Sequence, residues 1–407
     1  MLHREAACAL LPHRVPGILL ALLTTLFCLT TVLPAHSQTY KVIHNFTNQG
    51  SDGATPYGGP VLDKQGNLYG ATYLGGLFGG GSVYRLSPSG YEWTYTSLYS
   101  FRNIPDGSAP GFGTLAIGAD RVLFGTTEGG GYFGTAWAVC DCPKREYVLH
   151  SFGMGTDGAQ PIGGLVLDSK GNLYGTTSEF GANGFGNVFE LSRSGNKIKE
   201  TILYSFTGDN DSINPAAGVT LDAKGNIFGT ASLGGANGLG AVYELTPSAS
   251  GWTETILHNF QGDSDGANPV GGVVIDKSGN IFGTTFDGGI NGGGTIYELS
   301  PSSSGWTFTT IYSLIGGYSG PYNKLTLDGK GNIYGFTNSA GLNGLGSIFK
   351  LSPGTGGWDF TDLYDFVGGN DGGLPYGSVA VDANGNVFGT AVVGGTDNQG
   401  VVFEITP

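Results

Sequence analysis

Six aspartates each stand four residues ahead of a proline: Asp52, Asp106, Asp157, Asp211, Asp265 and Asp371. Asp209 and Asp263 add a second acid in Asp-x-Asp strings. A ring of such carboxylates facing solvent would suit Ca²⁺ or the hydroxyls of a sugar. None of these loops, however, carries the later Glu that completes an EF-hand. An aspartate beside a proline also caps turn N–H groups without any ligand, and that is the default reading. One copy breaks the pattern with Gly316-Gly317-Tyr318-Ser319-Gly320-Pro321, a neutral gap that makes Tyr318 the place to look for a pocket. The candidate ligand-binding set is therefore Asp52, Asp106, Asp157, Asp211, Asp265, Tyr318 and Asp371. Neither a catalytic residue nor a resident metal or cofactor is assigned, Ca²⁺ being the one ion these loops would suit.

Other reactive side chains give no constellation. His44, His150 and His258 fall where other copies carry Tyr99, Tyr204, Tyr312 and Tyr364. Such an exchange implies packing or a shared hydrogen bond, and no Ser/His/Asp or Cys/His arrangement emerges. Gly-rich strings such as 234–240 and 341–346 resemble phosphate loops but precede no helix, so they read as tight turns. Cys140 and Cys142 suit a local disulfide or two thiols better than a metal site. Trp93, Trp252, Trp306 and Trp358 recur at one position, which favours packing over sugar stacking.

The elements that position these residues follow from self-similarity. Gly-Asn-[Leu/Ile/Val]-[Tyr/Phe]-Gly begins at Gly66, Gly171, Gly225, Gly279, Gly331 and Gly385, with a degenerate copy at 120–125. The seven closing glycines, Gly70, Gly125, Gly175, Gly229, Gly283, Gly335 and Gly389, recur about 54 residues apart. Within the fifth unit, four β-type runs are expected at 272–276, 280–285, 295–299 and 306–314, joined by turn residues. Asp276 and its counterparts Asp63, Asp168, Asp222, Asp328 and Asp382 sit in the first hairpin as turn formers. Four short strands repeated seven times predict an all-β, seven-bladed β-propeller of four-stranded antiparallel blades. The last unit stops after a third strand, whereas 39–46 matches the fourth strand at 253–260. The N-terminal strand is thus expected to complete the last blade and close the ring.

The strings Asp-Gly-x-x-Pro, Gly-Asn-[Leu/Ile/Val]-[Tyr/Phe]-Gly-Thr and Gly-Gly-x-Asn-Gly-x-Gly resemble the Gloeo-Verruco ("GloVer") tandem repeats of exported bacterial proteins over essentially all of 39–407. That resemblance implies export and repeat architecture, with no assigned activity. Such proteins carry varied C-terminal anchors, and this chain ends at Pro407 without an evident one.

Arg4 and Arg14, the apolar run 18–33 and Ala35-His36-Ser37 read as a secretory signal over 1–37, leaving 38–407 as a single propeller. A net charge of −14 disfavours nucleic acid as a partner. The expected protein is a monomer, extracellular or periplasmic, without a membrane span once the signal is removed. Its expected role is non-enzymatic binding or scaffolding of a polysaccharide or protein at the Asp-Gly and Gly-rich loop face. A secreted lyase or glycosidase on the same ring is the competing class. It would need blade-specific polar residues converging at the axis, whereas the units look closely alike.

Overall fold

The computed structural model describes residues 38–407 apart from 142–143, 196, 209–210, 250 and 317–319. The expected signal sequence, Cys142, Asp209 and Tyr318 lie outside the described residues.

In the fifth repeat the strands Val274–Ile275, Ile281–Thr284, Gly292–Ser302 and Gly305–Ile315 pair in sequence order, all antiparallel. Seven such sheets form a seven-bladed β-propeller. Within every blade the sequence dictates one steric fit. The closing glycine of the repeated string lies over the ring of an aromatic on strand three: Gly125 on Trp137, Gly175 on Phe189, Gly335 on Phe349. A Cβ at Gly335 would stand 2.6 Å from Phe349 Cζ, inside any real carbon contact. Those rings are fully buried, and the apolar clusters pair one blade with the next, as where Phe228 and Val242 meet Val273, Ile281 and Tyr297. The recurrent Trp pack the same way: Trp93 on Phe388, Trp306 on Phe228 and Trp358 on Phe282, each against the preceding blade.

Strand one is shorter than the sequence suggests, two residues where five were expected. The pair preceding it turns against its neighbour instead, backbone on backbone, so that a Cβ at Gly164, two residues before Val166–Leu167, would meet Thr114 O at 2.4 Å. The hairpin aspartates behave as turn formers: Asp276 Oδ1 accepts from Ser278 N and Asn280 N, both at 2.8 Å, and Oδ2 from Asn280 Nδ2 at 3.0 Å.

The strand Thr39–Asn45 pairs antiparallel with Val401–Thr406 and completes the seventh blade. Phe46 N donates to Gly400 O at 3.0 Å and Thr55 N to Gln399 O at 2.8 Å across the same seam. The ring closure read from the sequence is the one observed.

Candidate functional site

The six candidate aspartates do not gather. Each belongs to its own blade and reaches back to the His or Tyr on that blade's outermost strand. His44 lies 3.1 Å from Asp52, His150 3.0 Å from Asp157 and His258 3.0 Å from Asp265. Tyr204 OH donates to Asp211 at 3.2 Å and Tyr364 OH to Asp371 at 2.8 Å, and Tyr99 OH bonds Asp106. Each carboxylate also accepts a loop N–H: from Thr47, Arg102, Gly153, Thr207, Gln261 and Val367 in the same order of blades. The shared partner of His and Tyr is therefore this carboxylate, turned into the fold to hold the loop.

A neighbouring residue from the next blade, one turn of the repeat later, completes each of these six sites and also packs on Tyr312, whose loop lacks the aspartate. In four clefts it is an aromatic ring: Tyr95 on His44, Phe308 on His258, Phe360 on Tyr312 and Tyr40 on Tyr364, all within 9° of parallel. In three consecutive clefts it is an acid. Burial, and next the Asp106 charge, pushes Glu146 up to about 7; burial with the hydrogen bond to Asp211 pushes Glu254 up to about 8. Glu200 is raised for the same two reasons beside Asp157. Burial also raises Asp157 and Asp211, but the hydrogen bonds they accept outweigh it and both end below the usual carboxylate range. His150, Asp157 and Glu200 bring three metal-competent atoms within 4.8 Å of one another. The same arrangement recurs with Tyr204, Asp211 and Glu254, where a proton shared between two carboxyl groups accounts for it.

Both loop types expected on one face do meet there: Gly76 N donates to Asp52 O at 2.6 Å and Gly235 N to Asp211 O at 2.8 Å. The Asn of the Gly-rich loops, such as Asn237 and Asn343, bond the carbonyls of Phe260 and Phe366 and fasten these loops to their own blades.

From that face the chain runs inward, and there the repeats stop being alike. Just past the loop proline the chain carries Tyr57, Phe112, Ile162, Ala216, Val270, Tyr322 or Tyr376 in successive blades, directly after the proline in six of them and one residue later, behind Gly111, in the second. Tyr57 stacks on Phe112 with centroids 4.9 Å apart and meets Tyr376 edge-on at 5.0 Å. Tyr376 stacks on Tyr322 at 4.2 Å, Tyr322 meets Phe286 at 4.6 Å, and Tyr73 lies edge-on to Phe112 at 5.2 Å. These six half-buried rings form one continuous band at the channel mouth. Beside it, between the band and the aliphatic side, opens a cavity of about 260 Å³, with Asn214, Ser232 and Asn323 as its amide and hydroxyl groups. Asn323 crosses the axis: its Nδ2 donates to Phe112 O at 2.9 Å and Tyr376 O at 3.3 Å.

Strain accompanies this mouth. Thr55, Ala109, Gln160, Asn214, Asn268 and Leu374 each precede a proline with φ between 51° and 59°, a conformation disfavoured for non-glycine residues. Each is held by donating its N–H to a carbonyl of the preceding blade, as Asn214 N does to Phe185 O at 3.2 Å. The sequence reading missed the mouth because it compared what the repeats share. The signal lay in the position where they differ, one residue past the loop proline, or two where Gly111 intervenes.

Fold and site together define a seven-bladed propeller in which a uniform scaffold carries a blade-specific channel mouth. The chain belongs to the Gloeobacter/Verrucomicrobia repeat family, whose model matches residues 24–230 and 214–407. No curated protein matches it. Among solved structures, a puromycin-hydrolyzing peptidase of Mycobacterium tuberculosis is similar with a TM-score of 0.51 and 10% identity, over 77% of this chain and 46% of that one. A nidogen/laminin complex matches at 0.44 and 16% identity, over 69% and 89% of the two chains. A mutant of AofleA from Arthrobotrys oligospora matches at 0.44 and 12%, over 80% and 89%. At these identities the likeness is one of fold.

Proposed function

We propose that this is an exported, non-catalytic module that binds a carbohydrate chain at the mouth of its central channel. One observation carries the reading: the aromatic band from Phe286 through Tyr322, Tyr376, Tyr57 and Phe112 to Tyr73, set beside a cavity with convergent amides. Flat apolar faces with a few fixed hydrogen-bonding groups are what a sugar ring, apolar on its C–H face and polar at its edge, requires. The leader-like residues 1–37 support export to where polysaccharides are met.

The test is a glycan array on residues 38–407, followed by calorimetry of the best binder with Tyr322→Ala and Tyr376→Ala. Loss of one anchoring ring should weaken binding about tenfold or more. Unchanged affinity in both variants, or release of cleaved product during the titration, would overturn the proposal.

A further inference from the structure

Below Asn323 the channel narrows to a neck, and its chemistry differs from that of the mouth. The residues that enter strand one are Gly59, Thr114, Gly164, Gly218, Gly272, Lys324 and Ser378 in the seven blades, so one of seven equivalent positions carries a charge. Lys324, with Gly164, Gly218 and Gly272, lines an axial cavity of about 50 Å³.

The neck is walled mainly by backbone, with a single ammonium among its groups. The carbonyl just before each of those three glycines is already taken: Thr126 Oγ1 donates to Gly163 O at 3.0 Å, Thr176 to Ala217 O at 2.8 Å and Thr230 to Gly271 O at 2.9 Å. The N–H groups of Gly164, Gly218 and Gly272 donate to no acceptor among the described residues. Lys324 makes no ion pair among them either; burial alone acts on its ammonium and lowers its pKa. Part of its surface faces the lumen, but protein surrounds it.

A buried, unpaired ammonium is costly unless it loses its proton or gains a counter-charge. Since a buried water needs only about 10–15 Å³ of such space, the neck has room for a halide-sized ion or a single carboxylate group. We propose that the neck is a binding site for a small monovalent anion, held by the Lys324 side chain. The site stands apart from the carbohydrate reading, because Asn323 separates neck from mouth.

The experiment compares thermal melts in sodium chloride, sodium bromide and sodium gluconate at equal ionic strength, for the natural protein and Lys324→Met. Chloride and bromide should raise the melting temperature by about 1–3 °C over gluconate, which is too bulky for the neck, and Lys324→Met should not respond. Crystals soaked in bromide should show an anomalous peak beside Lys324 Nζ. An equal response to all three anions, an undiminished halide response in Lys324→Met, or a neck without bromide would each overturn the proposal.

Discussion

Tyr40 stacks on Tyr364 with ring centroids 3.9 Å apart and planes 9° from parallel, and its hydroxyl bonds the Asp371 carbonyl. The contact joins the strand supplied by the N-terminal segment to the sixth blade and seals the last cleft of the ring. Phe46, at the end of that strand, is fully buried against Tyr84 of the first blade. Deleting 39–46 should therefore cause aggregation or a large loss of melting temperature, since Val401–Thr406 becomes an open edge. The milder Phe46→Ala should cost about 3–5 kcal/mol in urea unfolding. Equal melting of intact and truncated proteins would contradict closure by this strand.

The neck makes a sharper steric prediction. A Cβ at Gly59 would fall on the Ser378 carbonyl of the adjoining blade, where backbone faces backbone and nothing flexible can give way. Gly59→Ala should destabilise by about 1–3 kcal/mol or more. Gly356→Ala is the control: its added methyl meets nothing within 4 Å, so its urea midpoint should stay put.

What the sequence made legible divides along the same line. The closing glycines, the hairpin aspartates and the match of 39–46 to a fourth strand are local or repeated signals, and all three reappear in the fold. The partner of the His/Tyr position could be suspected but not named, because His150 and Asp157 meet only when the loop folds back on its strand. Illegible altogether were contacts between blades. Glu200 beside Asp157, or Phe112 between Tyr57 and Tyr73, are brought together by ring closure, which no spacing within one repeat encodes.

The loop aspartates carry a structural prediction and a metal prediction at once. Asp265 accepts from Gln261 N and bonds His258, which is stacked on Phe308 at 3.8 Å. Asp265→Ala should leave these donors unsatisfied and cost about 1–3 kcal/mol. With each of these carboxylates turned into its own blade to hold the loop, millimolar Ca²⁺ should leave the melting temperature of the natural protein unchanged, and chelator likewise. A rise with Ca²⁺ that Asp265→Ala abolishes would restore the loops as a cation site.

The three acid clefts make stability depend on pH with a definite sign. Glu146 and Glu254 titrate near 7 and 8 in the fold, with Glu200 raised as well, against an ordinary value of 4.5. The folded protein thus holds protons that the unfolded chain releases. Their stabilising effect is complete below pH 4.5 and is lost as the pH climbs through 7 to 8. Asp52, Asp157 and Asp211 are lowered from 3.8, so their contribution is present above that value and is lost as the pH falls further. Stability should consequently peak near pH 4, between the two ordinary values, and decline as the pH rises from there. Discounted for partial exposure, the three glutamates should lower the melting temperature by about 3–6 °C between pH 5 and pH 9. Replacing them by Gln removes the titrating proton and keeps a hydrogen-bond donor toward Asp157 and Asp211. The triple variant Glu146→Gln, Glu200→Gln, Glu254→Gln should match the natural protein at pH 5 and exceed it at pH 9. A melting profile whose alkaline slope is the same in both proteins would show that the clefts do not hold these protons.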